Sequence, residues 1–119
     1  MTNTVSRFRT LAIAASLVTL IAVLCTNAQA GQDHKSPQTV AIDIDNFKFG
    51  VASLEVAVGT TVTWTNRDDV PHTVTSSTKI FKSPPLDTGE TFTYTFKQAG
   101  TFEYYCALHP HMTGKVVVK

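Results

Sequence analysis

From Val40 onward the sequence switches between larger apolar residues and small or polar ones with a period of two. Val40, Ile42 and Ile44 alternate with Ala41, Asp43 and Asp45, and Leu54, Val56 and Val58 alternate with Glu55 and Ala57. Val62 and Trp64 sit between threonines, as do Phe92, Tyr94 and Phe96; Phe102 and Tyr104 flank Glu103, and the chain closes on KVVVK. A period of two puts alternate side chains on one face of a strand, whereas a helix needs an apolar stripe at 3.6. No stretch carries such a stripe. Glycines and the runs Asn-Arg-Asp-Asp and Lys-Gln-Ala-Gly cut the pattern into short segments rich in Val, Thr and aromatics. These read as antiparallel strands with one buried face. So many half-buried strands hide their apolar faces by packing two sheets together. The expected fold is all-β, a Greek-key two-sheet β-sandwich over residues 40–119.

Residues 1–30 break with this pattern. Arg7 and Arg9 precede the apolar run LAIAASLVTLIAVL, and Ala28-Gln29-Ala30 closes the segment with small residues. That is the three-part layout of a secretory signal peptide, with cleavage expected between Ala30 and Gly31. An uncleaved anchor is the alternative, but the run has 14 residues, short of the ~18 that read as a membrane span. Leu24 is bulky for the position before a lipidated cysteine at Cys25. Phe8 separates the two arginines, so the twin-arginine signature is missing. Residues 31–39, polar and containing Pro37, read as a flexible lead-in.

Losing residues 1–30 removes Arg7 and Arg9 and no acid, leaving 8 basic residues against 9 acidic. Near neutrality argues against nucleic-acid binding, which relies on an excess of Lys and Arg. One cysteine, Cys106, and one methionine, Met112, remain. A lone thiol in an exported chain has no internal disulfide partner, so it must be buried, bound or paired with another chain.

The stretch CALHPHMTG spaces Cys106, His109 and Met112 three residues apart, just before the closing valines. Strand directions bring a further donor to them. If 60–66 runs toward one end, the loop 67–71 lies there and the strand from His72 descends. The segment 77–90 then returns the chain to that end, 91–96 descends and 101–106 rises. Cys106 therefore finishes beside His72. Two imidazoles and a thiolate, with a weak thioether, make the ligand set of a blue-copper electron-transfer centre. Each residue alone has a plainer reading: methionine as core filler, cysteine as a small buried hydrophobe, histidine as a surface residue. Cys106, His109 and Met112 in one short loop, with His72 brought beside them, point to one copper held by these four residues.

The stretches VTWTNRDDVPHTV and GTFEYYCALHPHMTGKVVV resemble those of the cupredoxins, most of all the amicyanin branch, and the resemblance covers residues 40–119. It implies a Greek-key sandwich, one type 1 copper and a soluble periplasmic one-electron carrier. It also implies His72, Cys106 and His109 as strong ligands, Met112 as the axial one, and a monomer. Redox protein partners, a donor and an acceptor such as a periplasmic dehydrogenase and a cytochrome, would dock near His109. Two positions depart from the branch. Thr73 stands where an asparagine ties the ligand loops together, and His111 stands where the docking surface is apolar. Tyr105, beside Cys106 and facing outward by parity, offers a second electron route or is an ordinary strand tyrosine.

Three rivals use the same residues. A copper oxidase or nitrite reductase needs a second copper centre, for which one short domain has too few histidines. A copper-binding protein for delivery, storage or sensing remains the alternative function. Zinc is disfavoured by the thioether.

Overall fold

The computed structural model describes residues 36–119. The expected signal peptide, and the lead-in up to residue 35, lie outside the described residues. Eight strands follow one another: β1 (Thr39–Asp45), β2 (Lys48–Phe49), β3 (Ser53–Val56), β4 (Thr61–Asn66), β5 (Thr75–Ser76), β6 (Thr91–Thr95), β7 (Gly100–Tyr105) and β8 (Thr113–Val118). They form two four-stranded sheets, ordered β2-β1-β4-β6 and β3-β8-β7-β5. The all-β two-sheet sandwich expected from the alternation is the fold that forms.

The alternation also names the buried faces. In β1, Ile42 and Ile44 are buried while Ala41, Asp43 and Asp45 are exposed. In β4, Val62 and Trp64 point inward, and the Thr61 hydroxyl on the outer face meets that of Thr95 at 2.8 Å. Trp64 lies edge-on to Tyr104 of the opposite sheet, ring centroids 5.4 Å apart, and Phe81 packs at 4.7 Å from Tyr94. Such aromatic contacts each add about 0.5–1.5 kcal/mol beyond area burial.

Pairing differs from expectation in direction. The sheets are mixed: β1 runs parallel to β4, and β3 parallel to β8. Alternation specifies which face of a strand is buried, not its neighbour or its sense. The chain leaves the first sheet after β2, passes through β3 in the second, and returns as β4 beside β1. β4 thus runs in the sense of β1 and opposite to β2. Val58 also departs from the reading. It lies beyond the end of β3 and is 48% exposed.

The descending strand after His72 shrinks to the two-residue β5. The returning segment is what holds it. The Leu86 N–H donates to the His72 carbonyl at 2.7 Å and the His72 N–H to the Leu86 carbonyl at 3.1 Å. Ser83 N–H donates to the Val74 carbonyl at 2.9 Å. The segment 77–90 is thus a paired return against residues 72–76, and it fixes His72 at the end of the sandwich where β4 and β7 both finish.

Between β1 and β2 the chain turns through Asn46 and Phe47, with φ of 49° and 57°. Positive φ at both central residues is what a type I′ hairpin turn demands. Asparagine tolerates it. A phenylalanine there costs on the order of 1–2 kcal/mol, so this turn holds Phe47 under strain.

Candidate metal centre

Cys106 is fully buried and unpaired in any disulfide. The three-residue spacing of the terminal loop becomes two successive turns: the His109 N–H donates to the Cys106 carbonyl at 3.2 Å, and the Met112 N–H to the His109 carbonyl at 2.9 Å. The Cys106 N–H then donates back to the Met112 carbonyl at 3.1 Å, closing the loop. Met112 is buried beneath it. His109 keeps part of its surface in solvent, and His111 beside it is exposed.

His72 arrives from the other sheet's loop, as the strand count required. Its Nδ1 lies 3.8 Å from Cys106 Sγ, and His109 Nδ1 lies 3.7 Å from the same sulfur. One ligand atom from each of His72, Cys106 and His109 falls within 4.8 Å of the others. These separations exceed an ordinary hydrogen bond to nitrogen or oxygen. They match a shared ion: donors about 2.0 and 2.3 Å from one metal, about 120° apart, are separated by about 3.7 Å. The donor chemistry fits copper, which takes imidazole in both oxidation states and thiolate and thioether when reduced.

The surroundings steady each donor. The Thr73 N–H donates to Cys106 Sγ at 3.3 Å. The Ala107 N–H donates to the Thr73 hydroxyl oxygen at 2.7 Å, and that oxygen lies 3.9 Å from the sulfur. Threonine therefore does tie the two ligand loops together. Asn66, fully buried at the end of β4, shapes the loop 67–71: its amide donates to the Val70 and Leu86 carbonyls, both at 2.8 Å, and its oxygen accepts the Asp68 N–H at 2.9 Å.

Asp68 and Phe47 are parts of the site that the sequence did not disclose. Asp68 Oδ2 lies 2.7 Å from His72 Nε2, and its carboxylate accepts the N–H groups of Asn46 (2.6 Å) and Phe47 (2.9 Å). Burial pushes the Asp68 carboxyl up, but the Phe47 and Asn46 N–H groups and the His72 ring outweigh it and hold the pKa below the ordinary carboxylate value. An Nε2–H donated to Asp68 leaves the Nδ1 lone pair facing the sulfur, the arrangement that orients metal-bound histidines. The only hint in the sequence was an acid four residues before His72.

The comparisons agree with this geometry. Residues 13–118 match the family model described as a cupredoxin-like domain. Amicyanin from Paracoccus denitrificans is 39% identical over 85 residues, 67% of this chain; the match spans 65% of that protein. Amicyanin-alpha from Methylorubrum extorquens is 32% identical over 118 residues, 93% of this chain and 99% of its own. Among solved structures, an oxidised amicyanin variant superposes with a TM-score of 0.65 at 38% identity, covering 67% of this chain and 81% of the other. A purple cupredoxin from Nitrosopumilus maritimus gives 0.64 at 39% identity, with 67% and 99% covered. The chain belongs to the cupredoxin-like family.

Proposed function

We propose that this protein is a one-electron carrier with a single type 1 copper, bound strongly by His72, Cys106 and His109 and weakly by Met112. What carries the reading is the convergence of three donor atoms within 4.8 Å, from two separate loops, on a buried thiol. The copper, when bound, supplies reversible exchange of one electron between Cu(II) and Cu(I). The chain's own residues hold that site still. Thr73 fixes the sulfur through its N–H, Asp68 fixes the His72 ring, and the two turns of 106–112 fix His109. Burial of His72, Cys106 and Met112 excludes water. Four protein donors leave no open position for a substrate, unlike a catalytic metal site, so the protein is a carrier and not an enzyme.

His109 reaches the surface, and we place docking of the donor and acceptor proteins around it. A delivery or storage role would need a route for the metal to leave, whereas three of the four donors are enclosed. Residues 1–30 are proposed as the signal peptide that exports the domain 40–119 to the periplasm.

The test is a titration of the purified protein with Cu(II). An intense visible thiolate-to-copper band should grow to one equivalent, bleach on reduction and return on oxidation, and the Cys106→Ser variant should lack it. A colourless complex, or colour that does not return, sinks the electron-carrier reading and favours copper delivery.

A further inference from the structure

Among the described residues, Phe47 is the one strained, partly exposed aromatic that touches the site. Its ring stands edge-on to both imidazoles: centroids 5.4 Å from His72 at 88°, and 5.1 Å from His109 at 89°. It is 41% exposed, so burial does not account for its place. Its backbone sits at φ 57°, where glycine or asparagine would rest without strain. Strain at a position like this persists only when surrounding contacts over-determine it. The Phe47 and Asn46 N–H groups both donate into the Asp68 carboxylate, which also meets His72 Nε2.

We propose that Phe47 is a positioning residue for the metal centre: the left-handed turn, anchored on Asp68, presses its ring against His72 and His109 and holds both Nδ1 atoms toward Cys106 Sγ. His72 is already held by Asp68 and by its pairing with Leu86. Among the described residues, His109 has no side-chain hydrogen bond apart from its long contact to the sulfur, and its close ring neighbours are Phe47, His72 and His111. The ring of Phe47 therefore matters most for His109. One turn thereby serves both imidazoles, through a backbone N–H on one side and a ring on the other. The inference rests on the copper reading of the site and adds to it a residue that donates nothing to the metal.

The test turns on opposite signs. Phe47→Gly removes the ring and relieves the backbone, so a turn-forming role alone predicts equal or greater thermal stability with copper retention unchanged. A positioning role predicts that stability holds or rises while copper release, measured at saturating chelator, accelerates tenfold or more, in line with the roughly 10–100-fold effect of losing an outer partner of a metal site. Phe47→Tyr should release copper at the wild-type rate. In the metal-free protein, side-chain couplings from NMR should show His109 in one rotamer in the wild type and averaging in Phe47→Gly. Phe47→Asn, which also accepts positive φ, takes over if the glycine variant does not fold. A release rate within twofold of wild type, or a His109 ring still in a single rotamer without the aromatic, overturns the proposal. The rotamer measurement needs no copper, and the wild-type colour is read separately, so loss of the copper reading and loss of this one are told apart.

Discussion

Thr73 does two jobs within one residue. Its N–H points at the sulfur and its hydroxyl oxygen accepts the Ala107 N–H, so a single side chain links the loop bearing His72 to the loop bearing Cys106. Thr73→Val keeps the shape and deletes the acceptor. It should destabilise the metal-free protein by about 1 kcal/mol in denaturant unfolding, the usual net worth of one such hydrogen bond, whereas Thr73→Ser should not. Equal stability of the valine variant would mean that water replaces the hydroxyl. Residue identity told much at this scale. Cys106, His109 and Met112 were legible because their chemistry and spacing sit within seven residues. Asp68 and Phe47 were not, because their meaning lies in a contact across 21 residues of chain. Nothing in Asn-Arg-Asp-Asp separates a turn acid from one that holds a histidine ring.

At the scale of elements, the Tyr104 ring of β7 lies across Gly114 of β8. Tyr104 lies opposite Gly114 in the ladder. A Cβ on Gly114 would stand 2.5 Å from the Tyr104 ring, a distance real side chains do not tolerate, so the glycine is there for close approach and not for a turn. Gly114→Ala should cost about 1–3 kcal/mol, the range for overpacking a filled site. Part of that cost should be recovered in Gly114→Ala combined with Tyr104→Leu, since residues in direct contact do not act additively. Denaturant midpoints of the two single variants and the double variant measure the coupling, and simple additivity would refute the contact. Element type was legible for the longer strands because period two is written in neighbouring residues; the two-residue β2 and β5 are too short to show it. Element partners were less so: the parallel β1–β4 and β3–β8 pairs follow from the route between sheets, which no local pattern records.

For the whole molecule, the site joins the two sheets at one end. His72 follows β4 of the first sheet, while Cys106 follows β7 of the second. A ligand bound only by the folded state stabilises it by about 2.7 kcal/mol at a hundredfold excess over its dissociation constant. For a domain of this size that corresponds to a rise in melting temperature of about 10–20 °C. Calorimetry with and without Cu(II) should find it in the wild type and miss it in Cys106→Ser, and a wild-type melting temperature indifferent to copper would speak against a site assembled by folding. The amino-acid sequence determined by itself that the chain is all-β and, Val58 apart, which faces are buried, and it named the four side chains of the proposed centre. Those properties reside in alternation and spacing over a few residues, where chain geometry leaves little choice. Only the tertiary structure decided strand neighbours and directions, the strained turn at Phe47, and the Asp68 and Thr73 contacts that hold the donors. These depend on how segments far apart in the chain pack, 21 residues for Phe47 and Asp68 and 33 for Thr73 and Cys106, and packing is settled by the whole core at once.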